Sequence, residues 1–181
     1  MLNLKLMESE RLKVLDQIES IEALKLLKSE AEMVLDESLS SEAIITNKAN
    51  TVFQILIVLL FSVLGYLATS FPNIDIKSHM VKICLFLIFV AGSSIWYLLK
   101  IIYPKLTYTK GTTPSKLLYS DIVIKDWEEF SILKNRIYNL EEAIKQNKKS
   151  QSERISNFKI AVYILLIGIS LITLYSLFIL L

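Results

Sequence analysis

The chain has 181 residues, of which 53% are hydrophobic and 21% charged, and a formal net charge of +2. A mean hydropathy of +0.48 is compatible with that charge content only if apolar and charged residues are segregated along the chain. The near-neutral balance argues against a nucleic-acid binder, and a single cysteine (Cys84) and a single histidine (His79) leave no disulfide framework, cysteine metal site or two-histidine chemistry.

Residues 3–43 lack Gly and Pro and are rich in Leu, Glu, Lys and Ala, which predicts a long helix. Leu12, Leu15, Ile18, Ile21, Leu24 and Leu27 recur every third residue, followed by Ala31, Val34 and Leu35. Spacing of three drifts around a helix that repeats every 3.6 residues, so the predicted apolar face is broad and winding.

Charge then disappears from Ala49 to Ile74. About 20 apolar residues suffice to cross the hydrocarbon core of a bilayer, so this is a predicted first span. A second lies between Lys82 and Lys100, whose side chains can reach the interfaces, and Ile101 to Tyr103 extend it. The third runs from Ile160 to Leu181. Three such helices buried in a soluble core would need far more polar chain to wrap them. The predicted fold is therefore an all-α membrane protein, with a long cytosolic helix over 1–48, a transmembrane hairpin over 49–103, a cytosolic linker and helix over 104–158, and a last span over 159–181.

Basic residues set the orientation. The 71–79 loop holds one lysine, Lys77, beside Asp75, whereas 104–158 holds ten Lys/Arg against seven acids. The N-terminus and 104–158 are placed in the cytosol, and the 71–79 hairpin and C-terminal tip outside. After the second span, Pro104, Gly111 and Pro114 punctuate a linker in which Leu118 to Ile124 reads as a short strand or an extended docking segment. Phe130, Leu133, Ile137, Leu140 and Ile144 then follow a 3-4-3-4 rhythm, the seam of a coiled coil. It serves either as an oligomer seam or as the packing face against residues 3–43. Continuing the frame puts Asn147, Gln151 and Arg154 on the seam, and the helix can enter the third span without a break.

No glycine-rich phosphate loop exists, and the acid pairs Glu128–Glu129 and Glu141–Glu142 are helix neighbours that point apart. No catalytic, cofactor-binding or metal residues are expected. Polar and small residues inside the spans are Gln54, Ser62, Gly65 and Thr69 in the first, Ser93 and Ser94 in the second, and Ser170 and Thr173 in the third. They fit either span packing within one chain or a polar stripe lining a pore formed by several copies. The absence of charge at mid-span counts against proton-coupled transport and voltage sensing.

Thr46–Asn47–Lys48–Ala49 ahead of VFQILIVLLFSVLG, Tyr103–Pro104–Lys105–Leu106 after the second span, Leu117 to Ile122, and Ile155–Ser156–Asn157–Phe158–Lys159 before the third occur in an order that resembles the Pycsar-type effector transmembrane domain family, over roughly residues 44–181. Thr46 stands where that family has an acidic residue. The resemblance implies a bacterial antiphage effector of the inner membrane that oligomerises and permeabilises or depolarises it. It implies partners too: the bilayer, further copies of the chain, and a separate sensor protein or nucleotide second messenger as trigger. Lys48 and Lys159, each where a charged helix meets a span, are candidates to anchor to lipid phosphates or to ring a pore mouth. The alternative is a membrane scaffold or small subunit that docks a cytosolic partner through its helices.

Overall fold

The computed structural model describes residues 18, 20–70, 78–104, 107–108 and 128–180. Among these residues are three helices: α1 over Ile21–Thr69, α2 over His79–Ile102 and α3 over Glu128–Leu180. Each is long and apolar enough to cross a membrane, so the chain is an all-α membrane protein. The expected strand or docking segment at 118–124, and the helix expected over 3–17, lie outside the described residues.

The helix expected over residues 3–43 does not stop before the first span. No Gly or Pro interrupts 21–64, and α1 runs through Lys48 and Ala49 into the apolar stretch as one helix. Its start is marked by Ser20, whose hydroxyl accepts a long hydrogen bond from the Ala23 amide, with Glu22 in the first turn. The end of α2 has an equally local cause. Tyr103 precedes Pro104, and the proline ring bars the preceding residue from helical geometry. Tyr103 accordingly sits at φ −58°, ψ 129°. The expected continuity of the last cytosolic helix with the third span holds, since α3 is unbroken across Lys159.

Burial follows a frame of alternating three- and four-residue steps rather than the every-third pattern of the sequence. On α1 the buried side chains are Leu24, Leu35, Ser38, Glu42, Ala49 and Leu56, whereas Ile21 and Leu27 are exposed. All six fall on one 3-4 frame, which Lys28, Ser38 and Glu42 disguise with polar residues. On α3 the frame from Phe130 to Ile144 continues through Asn147 and Arg154 to Ala161 and Gly168, all buried from Leu133 onward except where Ile144, Gln151, Phe158 and Leu165 are half-buried.

The chain divides into two compact units, Met1–Ser40 with Leu106–Lys149 and Ser41–Lys105 with Ser150–Leu181. In the first, Leu24 packs with Leu133 and Ile137, flanked by Phe130, and Leu35 packs with Leu140 and Ala143, flanked by Ile144. The seam is thus occupied within the chain, by α1. Contacts advance in the same direction along both helices, so α1 and α3 run parallel here. Lys25–Glu129 at 2.7 Å and Glu32–Arg136 at 3.8 Å, seven residues on along each helix, flank the seam as in a parallel coiled coil. Lys25 and Glu129 are largely exposed, so their pairing sets register more than it adds stability. Asn147 uses its carboxamide on a third segment: Oδ1 accepts from the Tyr108 amide at 3.1 Å, and Nδ2 donates to the Tyr108 carbonyl at 2.9 Å. A buried polar seam residue is thereby satisfied.

In the second unit α2 runs antiparallel to α3 and the core is built from Ala49, Leu56, Ala91, Leu98, Ile101 and Ala161. Small residues bring helix backbones close, and between apolar helices that close packing replaces the hydrophobic effect as the main attraction. Ser94, fully buried, donates to the Ala161 carbonyl at 3.3 Å. A Cβ on Gly168 would stand 2.5 Å from Cγ1 of Val90, so α2 and α3 meet there only because residue 168 has no side chain.

Candidate functional site

Among the described residues, the second unit holds one buried charge cluster. Arg154 of α3 is 4% exposed, at a frame position seven residues from buried Asn147 on one side and buried Ala161 on the other. Its Nη2 lies 2.8 Å from Oε1 of Glu42, itself buried on α1. Its Nη1 donates to Thr46 Oγ1 at 3.0 Å and to the Ile101 carbonyl at 2.9 Å. Thr46 Oγ1 in turn donates to the Glu42 carbonyl at 2.9 Å, which turns its lone pairs toward the guanidinium. One side chain therefore binds all three helices.

Local structure places each partner. Glu42 and Thr46 are one turn apart on α1 and so present on one face. Ile101 belongs to the last turn of α2, where carbonyls have no partner further along the helix and the helix dipole is negative. The guanidinium both fills that hydrogen-bond vacancy and neutralises the helix end. Arg suits the position because its planar fork offers donors in several directions while staying charged.

Burying two charges is costly unless they are paired and hydrogen-bonded. The pairing here is incomplete. Among the described residues, Glu42 Oε2 and Arg154 Nε have no hydrogen-bond partner. A buried polar network with unmet atoms stabilises its arrangement less than a full one, and removing any single member leaves the rest uncompensated. Such a cluster holds the three helices in one arrangement while remaining breakable.

The span residues singled out in the sequence fall in different places. Ser94 alone is buried at a helix contact. Gln54, Ser62, Gly65, Thr69, Ser170 and Thr173 lie on exposed surface, on different helices, and are not brought together within the chain. The hydroxyls of Ser62, Ser93, Ser170 and Thr173 donate to the carbonyl four residues earlier, and Thr69 to the carbonyl three earlier. Those groups need no outside partner. A Cβ at Gly65 would meet nothing within 4 Å. Lys48 and Lys159 are both exposed, on helices that pass from charged into apolar sequence.

Glu42 escaped the sequence reading. It sits among Ser38, Ser41 and Ala43 in an acid-rich stretch and looks like one more solvated carboxylate. The signal that identifies it is its place on the 3-4 frame joining Leu35 to Ala49. Among the described residues no three His, Cys, Asp or Glu side chains converge as metal ligands. At the opposite end of α2, His79 Nδ1 and the Tyr175 hydroxyl are 2.8 Å apart.

Fold and site together define a three-helix membrane protein whose spans are tied at one end by a buried arginine. No protein-family model, curated protein or solved structure matches the chain.

Proposed function

We propose that this protein is a non-enzymatic membrane effector that acts by rearranging its own spans. The observation that carries this reading is the Arg154 network: a single buried, partly satisfied charge holds α1, α2 and α3 together where two of them pass from charged into apolar sequence. A signal that displaces α1 or α3 breaks the network, and an unpaired buried charge then favours a different packing of the spans. The likeness of the span boundaries to Pycsar-type effectors supports a setting in bacterial antiphage defence, at the inner membrane, with the N-terminus cytosolic and the C-terminus outside. In that setting copies of the chain assemble and permeabilise or depolarise the membrane when a separate sensor or a nucleotide second messenger signals. Glu42, one turn before Thr46, supplies an acid near the position where that family carries one.

The test is membrane potential, read with a potential-sensitive dye in bacteria expressing matched, membrane-inserted amounts of wild type and Glu42→Gln. Glu42→Gln leaves Arg154 buried without its counter-charge, so depolarisation is expected at lower expression than for wild type. Identical potentials in the two strains would remove the network from any effector role.

One observation favours a second reading, an inert scaffold that docks a partner through its charged helices. The exposed hydroxyls of Ser62, Ser170 and Thr173 are satisfied by their own helices, so that surface requires no water-filled column. A scaffold predicts no depolarisation from either protein.

A further inference from the structure

At the end of the second unit away from Arg154, α2 and α3 form a groove of about 380 Å3, lined by Lys82, Ile83 and Phe86 of α2 and by Leu171, Ile172 and Tyr175 of α3. Its lining divides by chemistry. Ile83, Phe86, Leu171 and Ile172 are apolar, whereas Lys82 and Tyr175 bring an ammonium and a hydroxyl. The uncharged run of α2 begins directly after Lys82. Where these helices cross a bilayer, Lys82 and Tyr175 therefore stand in the headgroup layer, the level at which Tyr rings accumulate. Phe86, one helical turn on, lies about 6 Å deeper.

The polar rim carries charge of one sign. Neither α2 nor residues 160–180 of α3 contain Asp or Glu, so no acid on either wall offsets Lys82. Tyr175 is held in place from α2: its hydroxyl lies 2.8 Å from His79 Nδ1, with the two ring centroids 6.0 Å apart. The imidazole form with a proton on Nδ1 donates to the tyrosine oxygen and leaves the phenolic O–H to donate elsewhere. Lys82 is exposed and Tyr175 half-buried, so both polar groups are within reach of a ligand entering the groove.

We propose that this groove binds an anionic phospholipid, such as phosphatidylglycerol, with its phosphate on the Lys82 ammonium and the Tyr175 hydroxyl and the first part of an acyl chain along Ile83, Phe86, Leu171 and Ile172. Charge complementarity selects this occupant. A phosphodiester accepts from both donors, and its single negative charge is matched by Lys82. A choline headgroup brings its own quaternary ammonium to a rim with a cation and no acid, which weakens its hold. A bare phosphate ion leaves the four apolar side chains uncovered, whereas a lipid fills both parts of the groove.

The inference rests on α2 and α3 crossing a bilayer and not on the effector reading, and one preparation separates groove from spans. Membranes containing the full-length protein are first washed with alkaline carbonate. The retained protein is then placed in nanodiscs with equal amounts of phosphatidylglycerol and phosphatidylcholine of matched acyl chains, and bound lipid is identified by native mass spectrometry. Wild type is expected to retain phosphatidylglycerol about threefold or more over phosphatidylcholine, the scale of one partly exposed charge contact. Lys82→Gln and Tyr175→Phe each lower that ratio, Lys82→Gln the more. Lys100→Gln, at the other boundary of α2 and outside the groove, leaves it unchanged. Lys82 is exposed, so its replacement does not threaten folding, and the thermal midpoint checks all three variants. Excess inorganic phosphate is expected to leave the bound lipid in place. Equal retention of the two lipids, a ratio untouched by Lys82→Gln, an equal fall in Lys100→Gln, or displacement by inorganic phosphate overturns the lipid assignment while the spans stand. Protein lost in the carbonate wash overturns the spans and the groove together.

Discussion

At the scale of single residues, Arg154 shows how a charge is retained in an apolar surrounding: it is given a carboxylate, a hydroxyl and an orphaned helix-end carbonyl at once. Arg154→Leu strands the Glu42 carboxylate, and a loss of about 3–5 kcal/mol is expected, read as detergent unfolding followed by circular dichroism. The double change Arg154→Leu with Glu42→Leu removes both charges, and most of that loss should return. If the double variant is as unstable as the single, the arginine acts chiefly through Thr46 and Ile101 rather than through Glu42. Asn147 and Arg154 stand on the same frame and were both legible in the sequence as polar seam positions. Their partners were not, because the Tyr108 backbone and the Ile101 carbonyl have no side-chain signature.

At the scale of elements, close approach decides the span packing. Gly168→Ala pushes a methyl into Cγ1 and Cγ2 of Val90, a β-branched side chain that cannot swing aside. Overpacking of this kind costs about 1–3 kcal/mol, expected as an earlier unfolding midpoint, while Gly65→Ala, with open space around it, escapes that cost, gains helix propensity and does not lower the midpoint. Equal effects from the two substitutions would show that both glycines act through helix propensity alone. The spans themselves were readable from uncharged runs, because the bilayer imposes a length that composition reveals. The 130–144 seam was readable for a similar reason, since its five frame positions are all apolar. The matching frame on α1 was hidden: Lys28, Ser38 and Glu42 interrupt it, and the conspicuous Ile21 and Leu27 lie off it. α1 passes through residue 48 without a break because a change of composition, without Gly or Pro, gives a helix no reason to stop.

At the scale of the whole molecule, three helices are each long and apolar enough to cross a membrane, and three crossings would put residues 20 and 180 on opposite faces. With Cys84→Ser as background, Ser29→Cys on α1 and Leu177→Cys on α3 are both exposed positions for labelling. In intact bacteria an impermeant maleimide is expected to label residue 177 and to reach residue 29 only after lysis. The reverse pattern would invert the orientation inferred from the basic residues, and labelling of both before lysis would contradict three crossings.

The wide separation in sequence of the residues that meet at Arg154 has a consequence for biosynthesis. Arg154 follows Ile101 by 53 residues and Thr46 by 108. At a synthesis rate of roughly 5–20 residues per second, Glu42 and Thr46 wait on the order of 5–20 s for the guanidinium that completes them. The first two apolar helices are completed within that interval while their shared cluster still lacks its cation. The nascent chain therefore passes through a two-span stage with an unneutralised carboxylate at its mouth, and the arrival of α3 is the event that closes it.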